Sequence, residues 1–397
     1  MKINICMIGY TSYLMDTRVR REAETLAELP EYTVRVLTLK DAKLSPKTYN
    51  HDGIYVQELN MHKYQGKSKL HYILSYLKFM FLAFFACNSL ILRKSLDIVH
   101  IHNMPNFIIF SSILPILRGK KVVLDIHDTM IETYASKFNG KLNKLFELAL
   151  RLEEYICCSL ADSIVCVNHV QQEALVKRGI PINKITISMN VPDPRLINGN
   201  LVLHSDQKKE SFNLVYFGTI SSMLGIDLAI RAVARLNGNI PSLKFHIFGE
   251  GDYLEQCIQL SRSLGMQSNI IFEKAMPFEK LVKRLREMDM VIVPNRKNNA
   301  TELMLPAKML DGVALGIPVI APKLTTIQHY FSDQMIFFFE PDDVDSLADA
   351  IWYAYNNDTE RMNKAENAKR FLEKYGWETH KWDLINLYRS LSSPEKT

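Results

Sequence analysis

Lys2-Ile3-Asn4-Ile5-Cys6-Met7-Ile8-Gly9 is an apolar run that does not alternate with polar residues and stops at a glycine. Such a run reads as a strand buried on both faces, ended by a tight turn. A helix pattern follows at 16–29, and Thr33-Val34-Arg35-Val36-Leu37-Thr38-Leu39 is a second β-rich run. Strand, helix and strand in succession are the unit of a parallel α/β sheet. The opening run is not read as a signal peptide. Asn4 breaks it, and it leads into Asp16, Arg18, Arg20 and Arg21 rather than a small-residue cleavage site.

The same alternation continues outward. Strand patterns fall at 98–101, 121–125 and 163–167, then at 212–216, 244–248, 269–272, 290–293, 318–320 and 335–339. Helix patterns fall between them at 141–158, 225–236, 253–264 and 305–315, and the tail is helical at 344–356, 359–375 and 377–391. A chain of 397 residues exceeds what one core usually serves. Asn190-Val191-Pro192-Asp193-Pro194, followed by a polar stretch over 198–211, suits a linker. The expected architecture is α/β, with two Rossmann-like parallel-sheet domains at 1–190 and 191–375 and a final helix at 376–397. Sheets of this kind bind ligands at the carboxyl ends of their strands, so two of them are expected to face a cleft.

Composition excludes a disordered chain, a collagen-like repeat and a disulfide-framework peptide: 47% of residues are hydrophobic and 23% charged. The net charge of +5 is unevenly spread. Residues 1–190 hold 24 Lys+Arg and 17 Asp+Glu, whereas 191–397 hold 24 and 26. The basic half is expected to meet something anionic. Six scattered cysteines without a C-x-x-C pair suit a reducing cytosol. Residues 59–96 contain no Asp or Glu, and 72–92 carry one charge, Lys78. That stretch is long enough to span a bilayer. A Lys inside a span costs about 2.5–3.5 kcal/mol, and strand signals flank the stretch. It therefore reads as a helix of the first domain with some membrane-facing surface, where Lys63, Lys67, Lys69, Arg93 and Lys94 meet anionic headgroups.

Several chemistries lack their motif. The first turn, Gly9-Tyr10-Thr11-Ser12-Tyr13-Leu14, is not G-x-G-x-x-G, and neither a P-loop lysine motif nor H-E-x-x-H occurs. Phosphate binding by helix N-termini and isolated cations remains. Thr301-Glu302-Leu303-Met304-Leu305-Pro306-Ala307-Lys308-Met309-Leu310-Asp311 fits it best. Pro306 suits a first helical turn, and the amides at 305–308 then form an anion site. Lys308 puts a cation where the helix dipole disfavours one unless an anion binds. Asp311 lies on the same face and accepts hydrogen bonds from hydroxyls. A lysine for phosphate and a carboxylate for a ribose diol are nucleotide chemistry.

At this point the chain resembles the retaining family-4 glycosyltransferases of the GT-B fold. Pro306-x-Lys308-x-x-Asp311 with Gly316-x-Pro318-Val319-Ile320 is similar to the family's P-x-K-x-x-E…G-x-P-V-I block. Asp16-Thr17-Arg18-Val19-Arg20-Arg21-Glu22-Ala23 resembles its first helix. Asp97-Ile98-Val99-His100-Ile101-His102-Asn103 and His127-Asp128 resemble its D-V-V-H-x-H-N and H-D segments, and Gly376-Trp377-Glu378 the opening of its last helix, which crosses back to the first domain. The resemblance implies a nucleoside diphosphate sugar in the second domain, an acceptor in the first, transfer with retention, and no metal or other cofactor.

By the same resemblance His127, Glu302 and Lys308 serve catalysis. Gly9, Arg18, Asp128, Gly218, Thr219, Gly249, Gly251, Glu273, Arg296, Met304, Leu305 and Asp311 serve the donor, with backbone atoms near Glu273 meeting the base. His102 and Asn103 lie on the acceptor side. The expected acceptor is lipid-linked or a polysaccharide, in cell-surface glycan (lipopolysaccharide-type) synthesis at the cytoplasmic face of the inner membrane, with no nucleic acid. Two departures stand out. Many relatives carry Arg after Gly218 and Lys before Gly225, where this chain has Thr219 and Leu224. Eight residues, rather than the family's seven, separate Glu302 from Asp311. They motivate a rival reading, a non-catalytic GT-B subunit that binds a partner enzyme or a glycan. An epimerase on the same fold is a third.

Overall fold

A computed structural model describes residues 2–40, 48–64, 66, 68–137, 143–197, 211–240 and 242–393. They form two compact units, Met1–Asn190 with Glu378–Thr397, and Val191–Trp377. The polar stretch read as linker lies, over 198–210, outside the described residues, as do Lys67 and the Lys69 side chain.

The first unit is built on β1 (Ile3–Gly9), β2 (Tyr32–Leu39), β3 (Thr48–His51), β4 (Ile54–Leu59), β5 (Ile98–His102), β6 (Lys121–Ile126), β7 (Ser163–Cys166) and β8 (Ile185–Ile187). Their order across the sheet is β3-β4-β2-β1-β5-β6-β7-β8, parallel except for the β3–β4 hairpin. That hairpin and β8 carry no signal among the sequence patterns, because β3 is a polar edge strand and β8 is three residues long. The central strands bury both faces. Cys6, Ile8, Val99, Ile101 and Leu124 face one core, shared with the helices Lys69–Leu92 and Lys144–Leu160. The alternate residues His100, His102 and Asp125 project to the other face, where the helices Thr17–Ala27 and Trp377–Ser392 supply Arg18, Glu22 and Tyr388.

The helix Lys69–Leu92 is long and apolar enough to cross a membrane. Here it is docked: Phe79, Ala83 and Cys87 are fully buried against the sheet, while Phe81 and Phe85 are exposed. All six cysteines are buried and free.

The second unit contains β9 (Phe212–Phe217), β10 (Leu243–Phe248), β11 (Ile270–Glu273), β12 (Met290–Ile292), β13 (Val319–Pro322) and β14 (Phe337–Phe339). They form one parallel sheet in the order β11-β10-β9-β12-β13-β14. The order reverses direction at β9, so the loops after β9 and β12 flank a crevice at the strands' carboxyl ends. The helix Ala307–Leu315 enters between β12 and β13 and ends at Gly316, whose φ of +76° closes it.

Candidate active site

In the first unit, β5 and β6 run parallel with His102 beside Asp125 in register. Asp125 is fully buried and is the hub of the cluster. Arg18, one turn before Glu22 on its helix, bonds to Asp125 and lies 3.3 Å from Glu22. His102 Nδ1 and His127 Nε2 each lie 3.0 Å from Asp125 Oδ2. His100 Nε2 lies 3.6 Å from the same oxygen, and its Nδ1 lies 2.5 Å from the Tyr388 hydroxyl.

Charge and tautomer follow from these contacts. Burial opposes ionisation of Asp125, but Arg18 and the surrounding histidines hold its carboxyl well below the usual range. Burial pushes His102 down to about 4, so its ring is neutral. Burial raises Tyr388, which stays protonated and donates to His100 Nδ1. His127 donates from Nε2 to Asp125, which leaves Nδ1 as an acceptor. Glu22, His100, His102 and Asp125 are close enough to hold a cation. The Arg18 guanidinium, bonded to both carboxylates, already supplies positive charge there.

A cavity of about 220 Å³ opens beside this cluster. It brings together Gly9, His102, Asn103, His127 and Asp128, all expected from sequence, with Tyr10, Asp16, Lys63 and Tyr76. Two expectations are corrected. Arg18 is buried and committed to Asp125 and Glu22, so it acts on the cluster and not on a diphosphate. Asn103 is committed to backbone: its Oδ1 accepts from the amides of His127 (2.8 Å) and Asp128 (3.4 Å). Its Nδ2 donates to the Asp128 carbonyl and to Asn106. It positions His127 and does not face an acceptor with a spare group.

In the second unit, β9 ends at Gly218, whose φ of +116° turns the chain. The Lys308 stem crosses this glycine, where an added Cβ would lie 3.4 Å from Lys308 Cε. The ammonium sits 4.8 Å from the centre of the Tyr216 ring. It makes no hydrogen bond or ion pair among the described residues. Burial pulls its pKa down to about 8, partly opposed by Asp311. The amides of Leu305, Ala307 and Lys308 likewise have no partner among the described residues. Pro306 is the N-cap and does not stand in the first turn; its ψ of 120° keeps it extended.

Other donor-side expectations are corrected. The Met304 amide donates to the Thr301 carbonyl, so it is not open to phosphate. Glu302 caps the helix Thr325–Tyr330 through the Thr325 amide at 2.6 Å and lies 3.5 Å from Lys297. Arg296 is held by Asp227 (2.6 Å) and Asp342 (3.0 Å), so it does not replace the missing cations. Glu273 pairs with Arg284 at 2.9 Å, which leaves backbone atoms for a base. Thr219 offers its carbonyl to the Tyr216 hydroxyl. Gly249 and Gly251 are small because the β9 loop packs on them: an added Cβ would lie 1.9 Å from the carbonyl oxygens of Gly218 and Ile220.

Asp125, Tyr216 and Tyr388 escaped the sequence reading as site residues. Asp125 had a signal, its place two residues before His127 at a strand end. Tyr388 had none, since its partner His100 is 288 residues away.

Comparison with known proteins follows the same division. The profile described as Glycosyltransferase Family 4 matches residues 15–194, and that described as Glycosyl transferases group 1 matches 204–371. A D-inositol 3-phosphate glycosyltransferase of Corynebacterium urealyticum is 26% identical over 190 residues, 46% of this chain and 44% of that protein. The chain thus spans under half the length of that relative. An uncharacterised glycosyltransferase of Methanocaldococcus jannaschii is 21% identical over 74% of this chain and 86% of its own. Among solved structures, sucrose-phosphate synthase from Thermosynechococcus elongatus superposes with a TM-score of 0.77 at 16% identity, covering 98% of this chain and 99% of that one. Anabaena HepE in complex with UDP gives 0.67 at 14% identity, covering 98% and 100%. The chain belongs to the family-4 glycosyltransferases of group 1 and has their GT-B fold.

Proposed function

We propose that this glycosyltransferase moves a sugar, with retention, from a nucleoside diphosphate sugar to a hydroxyl of a lipid-linked or polysaccharide acceptor, without a metal, in cell-surface glycan synthesis at the cytoplasmic face of a membrane. One observation carries the donor half: among the described residues Lys308 is a buried cation that makes no ion pair or hydrogen bond, beside three amides at a helix N-terminus that make none either. A divalent or delocalised anion suits that arrangement, and a diphosphate fits it. Asp311, one turn on, suits a ribose diol. Relatives support the class: one is named a GDP-mannose-dependent mannosyltransferase acting on phosphatidylinositol monomannoside.

In this reaction the bond from the sugar C1 to the phosphate oxygen breaks, and the acceptor oxygen bonds to C1 on the same face. The acceptor proton passes to the leaving phosphate, so no covalent nucleophile is needed. Lys308 and the amides stabilise charge that grows on the leaving group. In the first unit His127 Nδ1 accepts a hydrogen bond from a sugar or acceptor hydroxyl, with its ring fixed by Asp125 and its backbone by Asn103.

Calorimetry against UDP- and GDP-sugars, with donor hydrolysis followed in parallel, tests this reading. Binding with slow hydrolysis supports it, and Lys308→Ala weakens the binding and slows the hydrolysis. The commitment of Arg296 to two carboxylates favours the second reading, a non-catalytic subunit. Neither binding nor hydrolysis with any nucleotide sugar would establish that one.

A further inference from the structure

The first unit exposes two apolar helical stripes that its own core does not use. On the helix Lys69–Leu92 the stripe is Leu70, Leu74, Phe81, Phe85 and Leu92, at intervals of four and seven residues. Phe85 is 68% exposed and Leu92 77%. On the helix Lys144–Leu160 it is Leu145, Leu148, Leu152 and Tyr155, at intervals of three and four, with Leu145 74% exposed. The inner faces of both helices join the same core, against the same face of the sheet, and both touch the segment Asn106–Ser112. Their outward stripes therefore lie on one side of the unit. Patches this extensive on a water-soluble surface mark an interaction site.

The charge around the stripes is predominantly positive. Lys78, Arg93, Lys94, Arg118 and Lys144 are exposed there. Residues 59–96 hold no acid. The acids of the second helix are all engaged, Glu147 with Arg151, Glu153 with Asn106, and Glu154 with Arg178. Apolar side chains fringed by cations are complementary to an anionic bilayer. A second copy packing by the same patch would set like charges against each other, because a two-fold interface is self-complementary.

We propose that this two-helix face docks the protein on an anionic lipid bilayer, with both stripes inserted at headgroup level. The first of these helices also walls the cavity beside His127: Tyr76 lines it, and Ser75 lies 2.6 Å from the Tyr10 hydroxyl. Docking by this face brings that cavity to the lipid surface, where the headgroup of a lipid-linked acceptor enters it. This last step rests on the acceptor reading above; the docking itself does not.

Co-sedimentation of the full chain, without donor or acceptor, tests the docking apart from the enzymology. The vesicles are phosphatidylcholine alone or mixed with phosphatidylglycerol. The wild-type protein is expected on the mixed vesicles and released by salt. Phe85→Glu with Leu148→Glu is expected to abolish binding, and Lys78→Glu with Lys94→Glu to weaken it at least roughly fivefold per cation. Unchanged circular dichroism checks that each pair folds; if the first pair does not, the lysine pair decides alone. Equal affinity for both vesicle types, or unimpaired binding by the charge-reversed pair, overturns the proposal. So does a concentration-dependent dimer in ultracentrifugation, without vesicle binding, that the same substitutions abolish.

Discussion

His127 Nε2 and Asp125 Oδ2 lie 3.0 Å apart, and the same carboxylate is bonded to the buried guanidinium of Arg18. One anion thus orients His127 and balances an arginine that is 4% exposed. Asp125→Asn removes the charge and keeps the shape. Activity is expected to fall about 10²-fold or more, and stability to fall by about 3 kcal/mol because Arg18 is left buried beside a neutral amide. Adding Arg18→Met does not restore stability, because the buried Glu22 then loses its guanidinium, and activity stays low. Denaturant unfolding and initial rates on the four proteins of the cycle check both parts.

The sign of the pH effect follows from His102. Burial lowers its pKa to about 4 in the folded protein, against 6.5 for a free ring. Between those values the unfolded chain binds more protons, so stability is full above pH 6.5 and is lost as pH falls toward 4, by up to about 1.4 kcal/mol per pH unit. The depressed carboxyl of Asp125 adds its own loss below its ordinary value of 3.8. Melting temperature followed from pH 7 to 4 checks this, and His102→Gln flattens the upper part of the curve.

Lys308 gives a stability effect of the same sign at higher pH, between about 8 and 10.5, and a functional one. With its folded pKa near 8, against 10.5 unfolded, the charged ammonium burdens the free protein below pH 8. Lys308→Met is expected to raise the melting temperature at pH 7 by a few degrees while weakening donor binding. In the wild-type protein donor affinity falls as pH rises through about 8. Thermal shift and calorimetry across that range measure both.

Gly249→Ala and Gly251→Ala force a methyl to within 1.9 Å of a carbonyl oxygen in the β9 loop. Each is expected to cost about 1–3 kcal/mol and to weaken donor binding, because that loop carries Gly218 under Lys308. Gly265→Ala, with open space around it but a φ of +69°, is expected to lose stability and leave donor binding intact. Unfolding and nucleotide titration separate the two cases.

These residues also show where sequence legibility ended. The central strands could be read because burial on both faces leaves consecutive apolar residues, as at Val122-Val123-Leu124. The Ala307–Leu315 helix could be read from Pro306 and Gly316, two residues off at its start. Side-chain commitments could not be read: Glu302 and Arg296 are answered by Thr325, Asp227 and Asp342, all distant in sequence. The outward stripe of Lys144–Leu160 was hidden for another reason. Its Leu145, Leu148, Leu152 and Tyr155 have the same period as a buried face, and periodicity does not say which side of a helix meets the core.

The anomeric configuration of the first product tests the central claim most directly. Proton NMR during transfer from a UDP- or GDP-α-sugar to the best acceptor reads it before any re-equilibration. An α-linked product is expected from the wild-type protein, with Lys308→Ala slower by a few hundredfold (about 10²–10³). A β-linked product would contradict retention, and an undiminished rate in the variant would contradict the role given to Lys308.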